Sequence, residues 1–245
     1  MRRSRFSAAA LLLALLGPVG PAQALAAAPE TESGAIDEAA ERRAIEDAYQ
    51  LVAQKKPAEA IQLLDRLIAV RERTHAGEKR QIFNARSETE ALVYMGLAAK
   101  NKREALVQGE NWSLAIFLKG FALVDLGRTE EAKMMFDRAL AMAPMNAHYL
   151  GEVAEWHKNR KDWPTAYGVF KQALEASDFS PDEAKNFDKR RALRGLGFVL
   201  IEQGKLDDAE ALFRQCLAMD PNDAGAKSEL QYIKEQREKA APGRS

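Results

Sequence analysis

Little in this chain invites chemistry. Cysteine occurs once, at Cys216, so no disulfide can close within it. Histidine occurs three times, at His75, His148 and His157. None has a cysteine pair or a His-Glu-x-x-His spacing beside it, which argues against a zinc or other metal centre. Basic and acidic residues balance at 36 each, leaving no cationic excess to hold nucleic acid. No glycine-rich phosphate loop is present. Gly195-Leu196-Gly197 falls inside a helical pattern with no strand before it, where glycines serve helix packing. Ser177 and Ser180 lack the setting of an activated nucleophile. The acidic pairs Glu130-Glu131 and Asp207-Asp208 open helices, where they complement the helix dipole. These gaps predict no cofactor, no metal and no catalytic residue.

Long apolar runs are also scarce, except at the start. Arg2, Arg3 and Arg5 precede an apolar run from Phe6 to Leu16, which Gly17, Pro18 and Pro21 break before Ala22-Gln23-Ala24. This is the pattern of a secretory signal cleaved near Ala24. The run is short for a bilayer span, so an uncleaved anchor is the lesser alternative. No cysteine lies nearby to carry a lipid. Cleavage would leave 33 basic against 36 acidic residues. The alanine-rich composition and short basic start suggest a bacterial chain in the periplasm, without stable membrane insertion after cleavage. Residues 25–40 read as a linker and 239–245 as a disordered tail.

What the chain does have is a period. Ala98 and Ala105, Ala132 and Ala139, and Ala166 and Ala173 form three pairs, each 34 residues from the next. Stepping back 38 residues reaches Ala60 and Leu67, and stepping forward 43 reaches Ala209 and Cys216. The units run 41–74, 79–112, 113–146, 147–180 and 190–223. A fixed period of this length means one supersecondary unit stacked repeatedly.

The third unit shows the grammar. Ile116, Gly120, Leu123 and Val124 have helical spacing, and Gly127 interrupts them. Thr129 with Glu130 and Glu131 opens a second helix, which places Ala132, Met135, Phe136, Ala139 and Leu140 on one face. Pro144 stops it and Asn146 caps the next. In the last unit Gly197, Leu200, Gly204, Ala209, Phe213 and Pro221 repeat this order. Small residues suit the close approach of two helices, and phenylalanine fills the space toward the neighbouring unit. Cys216, in an alanine slot, reads as a small buried apolar residue. Trp112, Trp156 and Trp163 read as packing residues before sugar platforms.

This succession of small, leucine, alanine, phenylalanine, alanine and proline positions resembles the tetratricopeptide repeat, whose period is 34. The resemblance implies an all-α, right-handed α-solenoid over 41–238, with about five helix-turn-helix repeats and a cap helix at 224–238. The first unit lacks the turn glycine and the final proline. In the second, Arg86 and Val93 replace the glycines, so merged or bent helices are expected at 79–112. The insertion beginning Ser180-Pro181 predicts a first helix lengthened to 181–203, with Asp188 to Arg191 on a solvated face.

The resemblance further implies that first helices line a concave groove. The candidate positions are Phe117, Phe121, Val124 and Asp125, then His148, Glu155, Lys158 and Asn159, then Arg191, Arg194, Phe198 and Glu202. Phenylalanines facing Arg191 and Arg194 would suit a peptide with an apolar part and an acidic end; the alternative is that the phenylalanines only pack between units. The function expected is a non-catalytic scaffold or adaptor of the cell envelope with a protein or peptide partner. One alternative is an accessory subunit of an envelope secretion or assembly complex, contacting it by the convex face or the N-terminal end. An enzyme is the other, without a residue cluster to support it. The sequence leaves the oligomeric state open.

Overall fold

The computed structural model describes residues 37–240, which divide into two compact units, one ending at Ala143 and the next beginning at Pro144. The expected signal, most of the linker and residues 241–245 lie outside the described residues.

The first unit opens with a hairpin of α1 (Glu38–Ala53) and α2 (Pro57–Thr74). Asp37 caps α1, its Oδ1 accepting from the N–H groups of Ala39 and Ala40 at 3.0 Å. The helix therefore starts inside the stretch expected to be linker. No glycine makes the α1–α2 turn; Lys55 adopts φ 62° there instead. Ala48 and Ala60 are fully buried where the two helices meet.

The stretch 79–112 departs from expectation. It holds β1 (Gln81–Ala85), α3 (Glu88–Lys100) and β2 (Ala105–Gly109), and the strands pair in parallel from Gln81 with Ala105 to Ala85 with Gly109. There is no helix pair, merged or bent. Ile82-Phe83 and Leu106-Val107 favour extended backbone, and a parallel pair requires a crossover, which α3 supplies. Ser87 caps α3 through a bond from the Glu90 N–H at 3.2 Å. Phe83, buried, stacks on Tyr94 at 5.2 Å between ring centres. Ala98 is buried in α3 and Ala105 begins β2, so their spacing matched the repeat by coincidence.

Two polar side chains tie this segment to its neighbours. The Asn84 Oδ1 accepts from the Ser113 N–H at 2.8 Å. The buried Arg71 donates to both oxygens of Glu41 at 2.8 and 2.5 Å and to Gln108 Oε1 at 3.4 Å. A hairpin of α4 (Asn111–Asp125) and α5 (Thr129–Met142) completes the unit, with Gly127 at φ 74° in its turn. Phe136 lies so close to Gly120 that a Cβ there would be 2.5 Å from its ring.

The second unit contains α6 (Ala147–Asn159), α7 (Trp163–Ala176), a 3-10 turn at Ser177–Phe179, α8 (Asp182–Glu202), α9 (Leu206–Met219) and α10 (Ala224–Ala240). Asn146 caps α6, accepting from the His148 and Tyr149 N–H groups. Lys161 (φ 61°) and Gly204 (φ 76°) make the two hairpin turns. Ala166, Phe170, Ala209, Phe213 and Cys216 are fully buried at the helix contacts. Phe170 reaches Gly195 of the following hairpin, whereas Phe213 lies over Gly197 of its own, as Phe136 does over Gly120. The packing role expected of the phenylalanines is thus shared between the two directions.

The helix α8 has the expected length, but its extension is not solvated. Asp188 and Arg191 are buried, and Ser180 Oγ donates to Asp188 Oδ2 at 2.7 Å. No helix among the described residues is long and apolar enough to cross a membrane.

Candidate functional site

The groove positions fall into three groups. Phe117 and Phe121 are 1% and 2% exposed and pack edge-on against each other and on Phe136. They are core residues of the first unit and present nothing to a partner, which corrects their assignment as groove anchors. Asp125, at the end of α4, faces Lys55 Nζ at 3.6 Å.

The second group is a line of charged residues between α6 and α8. Arg191 lies flat against Gly151, where a Cβ would meet its guanidinium at 3.2 Å. It donates to Glu152 Oε1 and to the His148 carbonyl, and its Nη1 is 3.3 Å from His148 Nδ1. His148 Nδ1 is 4.0 Å from Asp188 Oδ1. Burial pushes the Glu152 carboxyl above the usual range, against the pull of Arg191. Arg194 pairs with Asp223, which also takes Arg190 and caps α10 through the Ala226 N–H at 2.9 Å. Neither arginine is free to receive an acidic ligand, which corrects the reading of Arg191 and Arg194 as a carboxylate-binding wall.

The third group stays within reach of solvent. Lys158 Nζ bonds Glu155 at 2.6 Å and sits 4.8 Å over the Phe198 ring, and Trp163 tilts against the same ring. Lys158 is largely buried in this sandwich, Phe198 and Glu155 are half-buried, and Asn159 and Glu202 are exposed. The tryptophans pack: Trp112 stacks on His75 at 5.1 Å, and Arg160 lies 3.6 Å over Trp156. Cys216 is buried, its thiol pushed up to about 11 by burial, so it carries no reactive thiolate at neutral pH.

A feature that reading helix by helix missed lies between α9 and α10. Leu217, Ala218, Leu230 and Ile233 floor a cleft of about 810 Å³, rimmed by Glu210, Arg214, Lys234, Arg237 and Glu238. Arg237 bridges Glu210 and Asp207, and Arg214 pairs with Glu210. The repeat was the available signal. Leu230 and Ile233 lie 34 residues after Leu196 and Val199, and Leu217 lies 43 after Leu174. Leu196 and Val199 belong to a core cluster onto which Leu174 and Leu212 pack, Leu212 coming from α9. The same apolar positions one repeat later line an open cleft.

Residues 145–222 match one tetratricopeptide-repeat family profile and residues 114–146 match another. The chain is a tetratricopeptide-repeat protein, an all-α solenoid in class into which the βαβ segment is set. Among solved structures it resembles a kinesin-light-chain candidate from Podospora anserina with nearly identical TPR-like repeats, at 14% identity over 86% of this chain and 92% of that one, TM-score 0.55. It also resembles MamA, residues 41 to the end, from Desulfovibrio magneticus RS-1, at 14% identity over 81% and 85%, TM-score 0.51. The first TPR of Spaghetti (RPAP3) bound to an HSP90 peptide aligns at 21% identity over 51% and 91%, TM-score 0.43. No curated protein matches. Repeat arrays of this family form extended binding surfaces, so the architecture is that of a protein-interaction scaffold.

Proposed function

We propose that the chain is a non-catalytic adaptor of the bacterial cell envelope that holds a protein partner by an amphipathic helix laid in the α9/α10 cleft. The observation that carries this is the repeat equivalence. The positions that α9 closes over in one repeat, Leu174, Leu196 and Val199, recur at the cleft as Leu217, Leu230 and Ile233 with no described helix above them. The missing element is a helix presenting an apolar residue where Leu212 stands. A mixed-sign rim suits a helix carrying both charges on its flanks. The basic start, apolar run and small-residue site before Ala24 support export. The α6/α8 face, the concave groove of the family, offers Phe198, Asn159 and Glu202 as further contacts.

The test uses a labelled helical peptide carrying the α9 segment, residues 206–219 with Cys216 replaced by alanine, added to the chain from residue 25 onward. Fluorescence anisotropy is expected to show saturable binding that Leu217→Glu removes. No binding at millimolar peptide, or binding indifferent to Leu217→Glu, overturns the assignment of the cleft.

A further inference from the structure

The outer face of α3 is apolar and, among the described residues, uncovered. This helix packs inward on β1 and β2 through Tyr94 and Ala98, which are buried. Outward it turns Glu88, Leu92, Met95, Gly96 and Ala99, all exposed and spaced as one helical stripe. Leu92 and Met95 are 68% and 55% exposed. No atom lies within 4 Å of where a Cβ on Gly96 would stand. Two large apolar side chains left in water on one short helix need a cover.

The order of residues along the stripe names the cover. The large side chains come first and the small ones last. About a two-fold axis between Met95 and Gly96, with a second α3 running antiparallel, Leu92 faces Ala99 and Met95 faces Gly96. Each large residue meets a small one, twice over. The charges match in the same register. Glu88 marks the N-terminal end, while Lys100, Lys102 and Arg103, all exposed, crowd the other. None of these four has an ion pair among the described residues. An antiparallel pair sets each Glu88 beside the basic end of the other copy and opposes the helix dipoles. A parallel pair would set Leu92 on Leu92 and acid on acid.

We propose that α3 is the contact of a homodimer, an isologous helix-to-helix interface in which the stripe packs on its own two-fold copy. A single-helix contact is small among specific interfaces, so the dimer is weak, with Kd of about 10–100 µM.

Sedimentation velocity of the chain from residue 25, which retains every described residue, tests this between about 5 and 500 µM. A monomer–dimer equilibrium is expected. Leu92→Glu, exposed in the monomer and therefore harmless to folding, weakens it more than about tenfold, with the helical circular dichroism unchanged. Glu88→Lys weakens it by about three- to tenfold, and adding Lys100→Glu and Arg103→Glu to that variant restores it. Met95→Cys forms a disulfide-linked dimer under mild oxidation, because the native Cys216 is buried. A chain that is monomeric throughout overturns the proposal. So does a dimer that ignores both Leu92→Glu and the charge reversals, or an α3 stripe found to bind only a different protein.

Discussion

Adding one methyl group at Gly197 tests the packing on which the second unit depends. A Cβ there would lie 2.6 and 2.8 Å from ring carbons of Phe213, closer than real Cβ contacts come. The ring cannot retreat, because Phe213 is fully buried among Leu193, Leu200, Ala209 and Cys216. Two effects oppose each other. Alanine is favoured over glycine inside a helix by about 1 kcal/mol. Overpacking a filled core costs about 1–3 kcal/mol, and two sub-contact distances put this site near the upper end. The expected net is destabilisation by about 1–2 kcal/mol. Gly168→Ala in α7 is the control, since no atom lies within 4 Å of its added Cβ; it should gain about 0.5–1 kcal/mol. Combining Gly197→Ala with Phe213→Leu should cost less than the two changes summed, by about 1 kcal/mol. Urea unfolding followed by circular dichroism reads all four variants. If Gly197→Ala and Gly168→Ala shift stability in the same direction, the close ring-on-glycine contact is refuted.

Two further variants test the charged line. Arg191→Met leaves the Glu152 carboxylate buried without its partner and should destabilise by about 3–5 kcal/mol at pH 7. Burial raises the folded pKa of Glu152, so its contribution to stability is full below its unfolded pKa and is lost as pH rises through the folded one. The Arg191→Met deficit should therefore shrink on acidification toward pH 4, and an equal deficit at both pH values in urea melts would contradict this. Asp223→Ala removes the α10 cap and the partner of Arg194 and should cost about 1–2 kcal/mol, while Asp223→Asn keeps the cap and loses less. Burial pushes the Asp223 carboxyl up, but the Ala226 N–H and the two arginines pull it below the usual range overall. Its contribution is therefore present above the unfolded pKa and lost as pH falls through the folded one. Hydrogen exchange of α10 amides should speed up in Asp223→Ala, and an unchanged exchange pattern would dismiss the cap.

The hairpins were legible because their signals are local. Gly127 and Gly204 sit at positive φ where the pattern put a turn, and Asn146 caps α6. The same turn is made by Lys55 and Lys161 at φ 62° and 61°, so glycine is the cheap occupant of that geometry and not a requirement, at a cost of about 1–2 kcal/mol for the lysines. The βαβ segment was hidden because counting a period compares positions and not conformations. Ala98 and Ala105 kept the spacing while Ile82-Phe83 and Leu106-Val107 carried the strand preference. The groove positions were assigned helix by helix, and a single helix does not reveal which side chains are free. The partner of Arg191 is Glu152, 39 residues back, and that of Arg194 is Asp223, 29 residues ahead. Those pairings exist only once the helices have packed.

The same physics says where binding capacity can remain. Between α6 and α8, Arg191 and Arg194 have each met a buried acid of this chain, so a ligand carboxylate there would have to displace that partner and leave its charge uncompensated, a loss of about 3–5 kcal/mol before any gain. Apolar positions behave differently. The apolar residues at repeat contacts are satisfied by the next helix where one follows, as Leu196 and Val199 are by Leu212 of α9. Leu217 and Leu230 stay partly exposed over the buried Ile233 because no described helix follows α10. Leu92 and Met95 are open because α3 stands in a βαβ segment and packs on two strands where a repeat would have packed on helices. The two apolar faces proposed above for partners thus lie where the repeat succession ends or is replaced, while the arginines between α6 and α8 are held by acids of the same chain.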